Sequence, residues 1–417
     1  MSKTIYDFDK GVERRGTDAK KYDPSLCPED VLPFWIADTD FPSPVEVTEA
    51  LRERVEIHHY GYPYIDTAFE ESIARWYKVR HNTVLNPEYI DYSPCVIPAM
   101  IWFAEEFSSI GDKILLQTPV YPPFHDLVKN NGRQLVFNEM DLINGRYEIN
   151  FEDLERKLAD PKVKILFICN PQNPTGRCFT REELVRMGEL CIRNHVMIGV
   201  DEIHADIIFD GHEFVPFCGI SEEFANHSVT FINPAKTFNV AGFRTAAWFT
   251  HNEEIYRRMM NQQTYKKGMG RNIFGNVALM ACYNHGDDYA DQCVAYLNET
   301  KNQAVAYINE NIPKIHAVNP EATFMIWLDC RGLGFKTQKE LKDFMFKDAK
   351  VLLNDGTTFG EKEGNGFMRF NFAAPRPVVM EGLKRIKEAV KGEGRCHDER
   401  GFVAESINQG SSCNPDR

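Results

Sequence analysis

The chain has 417 residues, of which 43% are hydrophobic and 26% charged, an ordinary composition for a folded protein of about two or three domains. Its 48 Lys and Arg residues against 61 Asp and Glu residues give a net charge of −13. This charge argues against a nucleic-acid partner, because an acidic surface repels phosphate backbones. No internal period recurs along the sequence, so a repeat protein is excluded.

The cysteines and the apolar runs predict where the protein resides. Its 11 cysteines include no C-x-x-C pair, which indicates reduced thiols rather than a disulfide framework. Residues 1–17 are charged and lack the apolar core of a signal peptide. The longest nearly apolar stretch, residues 96–104, is too short to cross a bilayer. We therefore expect a cytoplasmic protein without membrane contact.

A helix is predicted to begin near Pro98, since proline is favoured at the first helical position. Phe103, Phe107 and Ile110 repeat at helical spacing and predict one apolar stripe. Gly111 is expected to end this helix.

From about residue 110 onward, short β-rich runs alternate with helical patterns. The runs are rich in Val, Ile and Phe and nearly continuous in hydrophobicity, as in strands that are covered on both faces. Strands separated by helices imply right-handed crossovers and a mostly parallel, doubly wound sheet of the α/β class. The predicted strands are residues 113–117, 134–137, 163–169, 196–200, 229–232 and 246–249.

One helix between two of these strands has a clear start signal. Thr180 can cap its N-terminus, and Glu183 three residues later completes a capping box. Leu184, Met187 and Cys191 then form one apolar stripe at helical spacing. The sequence therefore predicts a strand–helix–strand unit over residues 163–200.

The last third of the chain predicts a smaller α+β domain. Its elements are helical patterns over residues 290–312, a strand at 324–328, a helix from about Thr337, a strand at 367–372 and a helix at 378–391. From Gly392 onward the chain is rich in Gly, Ser and charge without periodicity, so we expect a mobile tail.

Polar side chains follow three of the predicted strands directly. They lie in the loop 170–176 (NPQNPTG), in residues 201–204 (DEIH) and in residues 233–236 (NPAK), with Arg244 eight residues after the last. In a doubly wound fold, ligands bind at the carboxyl ends of the strands. We therefore expect these three segments to meet at one site.

Each of these side chains has a structural and a chemical interpretation. Lys236 could be an ordinary loop lysine in solvent, or a desolvated amine that forms a Schiff base with an aldehyde cofactor. Asp201 could cap a turn, or hold the pyridine nitrogen of pyridoxal phosphate protonated so that the ring accepts electrons. Asn173 could form an Asx turn, or donate to the phenolic oxygen of that cofactor.

Two further signals concern phosphate and metal. A helix that opens at residues 95–98 offers backbone N–H groups to a phosphate, and Arg244 could supply the positive charge. His204 has Asp201, Asp206 and His212 near it in sequence. No H-E-x-x-H motif or Cys/His spacing accompanies them, so no metal site is expected.

In order and spacing, the motifs N-P-x-N-P-T-G, D-E-x-H and K-T-F-N-x-A-G resemble the fold-type I aminotransferase family, which depends on pyridoxal 5'-phosphate (PLP). Within it, residues 30–42 (DVLPFWIADTDFP), residues 60–62 (YGY), Phe8-Asp9 and residues 14–17 (RRGT) resemble the MalY/PatB group of cystathionine (cysteine-S-conjugate) β-lyases. The resemblance covers about residues 5–392. It implies a large domain of PLP transferase fold type I beside the smaller domain.

The resemblance also implies site residues. Catalytic roles fall to Lys236 as Schiff-base lysine and general base, to Asp201 at the pyridine nitrogen and to Tyr121 stacked on the ring. The implied cofactor-binding residues are these three with Asn173, His204, Val96, Ile97, Asn233, Arg244 and Tyr62. Tyr62 would reach the cofactor phosphate of a neighbouring subunit, which implies a homodimer with shared active sites. Arg369 would bind the carboxylate of a small amino-acid substrate, with Ala37 beside it.

The implied domains are an N-terminal segment (1–48) packing with the small domain, a large PLP-binding domain (49–287), a small C-terminal domain (288–392) and the tail (393–417). Three functions remain open from the residues. A C–S β-lyase would cleave cysteine thioethers to a thiol, pyruvate and ammonia. An aminotransferase would use the same residues with a 2-oxo acid as second substrate. A regulatory protein would use the fold to bind a partner.

Overall fold

The computed structural model describes residues 4–64, 66–265 and 270–407. The strands are β1 (Leu32–Pro33), β2 (Ile90–Ser93), β3 (Lys113–Thr118), β4 (Gln134–Glu139), β5 (Asp141–Ile143), β6 (Arg146–Glu148), β7 (Val163–Cys169), β8 (Met197–Asp201), β9 (Ser228–Ile232), β10 (Ala246–Phe249), β11 (His316–Val318), β12 (Met325–Asp329), β13 (Val351–Leu352), β14 (Asn354–Asp355) and β15 (Phe367–Asn371). The helices are α1 (Val45–Glu56), α2 (Ala68–His81), α3 (Val96–Phe107), α4 (Pro123–Lys129), α5 (Phe151–Leu158), α6 (Arg181–Arg193), α7 (Glu222–Asn226), α8 (Ala235–Phe238), α9 (Glu253–Tyr265), α10 (Ile273–His285), α11 (Asp287–Asn311), α12 (Gln338–Lys347) and α13 (Arg376–Ile407).

A seven-stranded sheet in the order β2-β10-β9-β8-β7-β3-β4 forms the centre of the molecule. Neighbours from β9 through β4 pair in parallel, and β10 pairs antiparallel with both β9 and β2. The prediction of a mostly parallel sheet with helical crossovers is therefore confirmed, and all six predicted strands exist. Strand β2 was not predicted, because it has only four residues and includes the charged side chain of Asp91.

Helix α3 differs from its prediction at both ends. It begins at Val96 rather than near Pro98, and it ends at Phe107, where Ser108 adopts an extended backbone. Ile110 is 82% exposed and does not extend the apolar stripe, whereas Phe103 is fully buried. The prediction for Ile110 was wrong because its helical spacing counts only while the backbone stays helical.

Helix α6 has the predicted N-terminus. The hydroxyl of Thr180 accepts a hydrogen bond from the Glu183 amide, and the Glu183 carboxylate accepts one from the Thr180 amide. Leu184, Met187 and Cys191 are fully buried against the sheet. This capping box fixes where the helix begins after the 170–176 loop, and so helps to hold that loop at the sheet edge.

A second sheet in the order β11-β12-β15-β14 is antiparallel throughout and lies with α11, α12 and α13 in the last third of the chain. The short strand β1 near the N-terminus pairs in parallel with β13, through Leu32 and Val351. The division into domains at 1–48, 49–287, 288–392 and 393–417 stays a prediction.

Helix α13 continues to Ile407, so the predicted helix end at residue 391 was wrong. The expected end rested on the Gly, Ser and charge content from Gly392 onward, but a glycine inside a helix costs only about 1 kcal/mol and does not forbid the helix. The mobility expected for the tail stays a prediction, and residues 408–417 of that tail lie outside the described residues. Among the described helices, none is both long and apolar enough to cross a membrane.

The sheet places three loops at one edge. Strands β7, β8 and β9 are parallel neighbours, so their carboxyl ends lie side by side. β7 and β9 end at Cys169 and Ile232, directly before two of the predicted polar segments, and β8 ends at Asp201, the first residue of the third.

Candidate active site

A cavity of about 250 Å³ opens at the carboxyl ends of these strands. Nine of the ten predicted cofactor-binding residues line it, and Tyr62 does not. The nine are Val96, Ile97, Tyr121, Asn173, Asp201, His204, Asn233, Lys236 and Arg244. Cys95, from the predicted helix start at residues 95–98, lines it as well, and so do Cys169 and Ile203, which were not predicted.

A larger cavity of about 550 Å³ lies elsewhere, between α2, α11 and the loop after β8. Two of its charged side chains are already ion-paired: His81 pairs with Asp206 at 3.0 Å, and Arg80 with Asp291 at 2.6 Å. We therefore take the smaller cavity, which gathers the predicted catalytic groups, as the candidate active site.

Lys236 lies in the short helix α8, which follows β9 after one tight turn. Its Nζ atom donates a hydrogen bond of 2.6 Å to the backbone carbonyl of Ala37. Burial, and then the positive charge of Arg369, lower the pKa of this amine to about 8. A lysine with such a pKa is neutral in a usable fraction of molecules near physiological pH, as a nucleophile or general base must be.

Asp201 is the last residue of β8 and is 5% exposed. Its Oδ1 atom accepts a hydrogen bond of 3.1 Å from the Ile203 amide. Burial raises the pKa of this carboxyl to about 7, although the Ile203 amide and the charge of Lys236 oppose the shift. A cation bound in the cavity would therefore stabilise the ionised form of this carboxyl.

Arg369 is 3% exposed on β15, in the antiparallel sheet of the last third of the chain. Its Nη2 atom donates to the Trp35 carbonyl at 2.6 Å and to Asn354 Oδ1, and its Nη1 atom donates to Asn173 Oδ1 at 3.2 Å. All of these acceptors are neutral, and the Nε atom has no hydrogen-bond partner among the described residues. Burial lowers the pKa of Arg369 to about 10, so it remains a cation at neutral pH.

A buried cation that only neutral oxygens surround is a binding site for an anion, because a charge removed from water is costly until an opposite charge meets it. The sequence reading assigned Arg369 but not the acceptors that orient it. Asn354 is opposite Arg369 in the register of β14 and β15, a pairing that no local pattern reveals. The Trp35 acceptor is a backbone carbonyl, for which no sequence signal exists.

The remaining predicted residues surround these three. His204 is buried, its Nδ1 atom has no hydrogen-bond partner among the described residues, and burial lowers its pKa so that the ring stays neutral. Burial raises the pKa of Tyr121, so its phenol stays protonated. Val96 and Ile97 open the 12-residue helix α3, and exposed Arg244 lies on the same cavity.

Ala37 and Tyr62 differ in how they relate to the cavity. Ala37 is not among the lining residues, but its carbonyl accepts a hydrogen bond from Lys236, which is. The side chain of Tyr62 is fully exposed to solvent. Within one chain, Tyr62 therefore takes no part in the cavity.

Comparison with known proteins agrees with this geometry. The family model for aminotransferase class I and II matches residues 29–386. Cystathionine beta-lyase PatB of Bacillus subtilis is 38% identical over 387 residues, which cover 92% of this chain and 99% of that protein. Cystalysin from Treponema denticola, whose crystal structure contains pyridoxal 5'-phosphate, is 31% identical with a TM-score of 0.90 and covers 93% of this chain and 100% of its own.

A PLP-bound C-S lyase from Staphylococcus hominis is 28% identical, with a TM-score of 0.86, over 93% of this chain and 98% of that one. The similarity extends over nearly the whole length of each relative, so it concerns the complete fold and not one motif. The predicted resemblance is confirmed. The chain belongs to the aminotransferase class I and II family, of fold type I, and within it to the group that includes PatB.

Proposed function

We propose that the protein is a PLP-dependent C–S β-lyase, which cleaves L-cystathionine or a related cysteine thioether to a thiol, pyruvate and ammonia. The observation that carries the proposal is the cavity that brings the Lys236 amine together with buried Asp201, beside the unneutralised cation of Arg369, which donates to Asn173 in the cavity wall. Two of the relatives named above support it, because PatB is a cystathionine beta-lyase by name and the Staphylococcus hominis protein is a C-S lyase by name.

The residues of the cavity fit PLP. The amine of Lys236 suits the aldehyde, the Asp201 carboxylate suits a protonated ring nitrogen, and a cation at that nitrogen would lower the raised pKa of Asp201 again. The Asn173 oxygen accepts from Arg369, which leaves its amide nitrogen on the opposite side to donate to the phenolic oxygen. The N-terminus of α3 and Arg244 suit the phosphate.

Bound PLP supplies an aldehyde for the substrate amine and a ring that accepts the electron pair left when the Cα proton departs. In the proposed reaction Lys236 takes that proton, and its lowered pKa keeps a neutral fraction available for the task. Asp201 keeps the ring nitrogen protonated, so that the ring withdraws electrons. Tyr121 lines the cavity together with them.

Arg369 binds the substrate carboxylate and so fixes the direction of the Cα–H bond toward Lys236. Asn354 and the Trp35 carbonyl hold the guanidinium through its Nη2 atom. Its Nε atom has no hydrogen-bond partner among the described residues. When the Cα proton is gone, the electron pair can expel a thiolate from Cβ. Water then releases pyruvate and ammonia, so the reaction consumes one water for each thiol formed.

An aminotransferase is the second candidate, because the family model that matches the chain is that of aminotransferases. Transamination would need the same Lys236, Asp201 and Arg369. It would leave the bonds at Cβ intact, because Lys236 would return the proton instead of a thiolate departing, and it would require a 2-oxo acid as second substrate.

The test is release of pyruvate and thiol from L-cystathionine by the PLP-loaded protein with no 2-oxo acid present. Sustained turnover with one thiol for each pyruvate is the expected result. A single conversion of the cofactor band without turnover, reversed by a 2-oxo acid, would contradict the lyase and support the aminotransferase.

We also propose a homodimer with shared sites in a reducing cytoplasm. The exposed side chain of Tyr62 supports the first part, since the resemblance assigns it to the cofactor phosphate of a neighbouring subunit. The cysteines support the second, because all nine whose side chains are described are free thiols.

A further inference from the structure

Four charged side chains near the N-terminus, Arg14, Lys21, Asp38 and Asp40, form what we call the N-terminal charge cluster. Asp38 and Asp40 belong to the segment 35–40, which we call the strap, and Arg14 and Lys21 pair with them. We propose that the N-terminal charge cluster positions Arg369 and Lys236, because it fixes the strap whose backbone carbonyls hold both side chains. The inference rests on the proposed function for the roles of those two residues.

The strap touches the active site through its backbone. The Trp35 carbonyl accepts from Arg369 Nη2 at 2.6 Å, and the Ala37 carbonyl, two residues later, accepts from Lys236 Nζ at 2.6 Å. Alternate carbonyls of one short segment thus hold the proposed carboxylate-binding cation and the proposed base. A shift of the strap would therefore displace both groups together.

The N-terminal charge cluster holds the strap from its other side. Arg14 bridges the two strap carboxylates, at 2.6 Å to Asp38 and 2.8 Å to Asp40, and also donates to the Thr39 carbonyl at 3.1 Å. Lys21 is completely buried and pairs with Asp40 at 2.8 Å and with Asp38 at 3.8 Å. The four charges sum to zero, so the cluster can be buried without a net charge.

Other contacts tie the same segment to its surroundings. Asn371 donates to the carbonyls of Ile36 and Asp38, and the Asp40 amide donates to the Ala373 carbonyl at 2.9 Å. These contacts orient the strap on the antiparallel sheet. They do not neutralise the two carboxylates of the strap. Arg14 and Lys21 do so, through their ion pairs with Asp38 and Asp40.

Removal of Arg14 would leave one buried cation, Lys21, between two carboxylates. The uncompensated negative charge favours a strap displaced toward water, since burying an unpaired charge is costly. The residues RRGT at 14–17 stood out in the sequence only as part of a resemblance, and this role explains the first of them.

The experiment compares Arg14→Gln with the unaltered full-length holoenzyme. Amide hydrogen exchange of peptides that contain the strap should become faster in the variant. Its Kd for L-alanine, which lacks a leaving group at Cβ and is followed by the change in cofactor absorbance, should rise on the order of tenfold to a hundredfold. The KM for L-cystathionine should rise by more than kcat falls.

Arg80→Gln is the matched control, because Arg80 is similarly buried and also ion-paired, but lies on the separate larger cavity. It should change neither strap exchange nor the Kd for L-alanine. Faster strap exchange in Arg14→Gln with an unchanged Kd would overturn the proposal, and so would unchanged exchange.

If Arg14→Gln does not fold, Arg14→Lys keeps one cation but loses the bridge between the carboxylates. It should show the same changes at smaller size, and an unaltered Kd with faster strap exchange would again overturn the proposal. L-alanine binding and amide exchange require no elimination. A protein that binds L-alanine but releases no pyruvate would therefore contradict the proposed function and leave this inference standing.

Discussion

The side-chain amine of Lys236 donates a hydrogen bond to the backbone carbonyl of Ala37, a residue 199 positions earlier in the chain. The contact joins the edge of the central sheet to the N-terminal segment. The proposed base is therefore positioned by two distant parts of the sequence, and the predictions below separate their contributions.

Replacement of the proposed Schiff-base lysine, Lys236→Ala, should abolish the visible absorbance of protein-linked PLP, because among the described residues no other lysine lines the cavity. Borohydride followed by mass spectrometry should show the cofactor fixed to the unaltered protein and not to the variant. Lys301→Ala is the control, since burial also lowers the pKa of Lys301 but that residue lies on α11, outside the cavity. A retained visible band that borohydride fixes to Lys236→Ala would refute the assignment.

Activity should rise with pH through about 8, because Lys236 accepts a proton only when its amine is neutral and its pKa is lowered to about 8. The Arg369 cation contributes to that lowering, so Arg369→Gln should raise the pKa of Lys236. The rise of kcat with pH should then occur at higher pH in the variant. The measurement is kcat for L-cystathionine from about pH 6 to about pH 10. A rise that moves to lower pH in the variant would contradict the electrostatic argument.

Arg369→Gln should also raise the KM for L-cystathionine on the order of a hundredfold, since hydrogen bonds to a buried charge contribute about 1.5–3 kcal/mol each. The variant leaves its former acceptors, Asn354 and Asn173, without their cationic donor. Steady-state kinetics measure the effect, with Arg331→Gln as control because Arg331 is largely exposed and pairs with Asp329. An unchanged KM would show that another group binds the carboxylate.

The neighbouring acids Asp201 and Glu202 provide a matched pair of variants. Burial raises the pKa of each carboxyl to about 7, but only Asp201 lines the cavity, while Glu202 accepts from the Tyr77 hydroxyl at 2.7 Å and the Phe217 amide at 3.0 Å. Asp201→Asn should lower kcat at least about a hundredfold, because an amide cannot hold a ring nitrogen protonated.

Glu202→Gln should keep kcat within severalfold and instead lower the free energy of unfolding by about 1–3 kcal/mol. The reason is that the amide keeps only one acceptor oxygen for the two donors, the Tyr77 hydroxyl and the Phe217 amide. Kinetics and denaturant unfolding of both variants make the comparison. Equal losses of kcat would contradict a specific role for Asp201.

Shared active sites predict complementation between two inactive variants. Tyr62→Ala and Lys236→Ala homodimers should each be inactive or weak, and subunit exchange should restore roughly a quarter of the activity, because half of the dimers at random mixing hold one intact site of two. Activity is measured after mixing, denaturation and refolding of equal amounts. No recovery, from variants that do form mixed dimers, would place Tyr62 outside a shared site.

The parallel sheet was predictable because a strand covered on both faces is apolar at every position, and this pattern is local. The capping box of α6 was predictable for the same reason, as Thr180 and Glu183 are three residues apart. Ile110 and the end of α13 were predicted wrongly, because spacing and glycine content do not decide alone where a backbone stops being helical.

For the site, the sequence identified chemistry-bearing residues that directly follow strands, and the sheet brought the three segments to one edge. It could not indicate the Trp35 and Ala37 carbonyls, since every residue has a carbonyl and only the fold selects which of them face Arg369 and Lys236. Nor could it indicate that four charged residues, Arg14, Lys21, Asp38 and Asp40, neutralise one another. Residues 14 and 21 meet residues 38 and 40 only after the chain has folded back on itself.

By itself the sequence determined the fold class, the family and the identity of the reactive side chains, because these depend on residue type and local order. Only the tertiary structure decided the environment of each side chain. Burial and the distance between charges set the lowered pKa of Lys236, the raised pKa of Asp201 and the unneutralised charge of Arg369. Those quantities arise from groups far apart in the chain, and they exist only once the fold has brought them together.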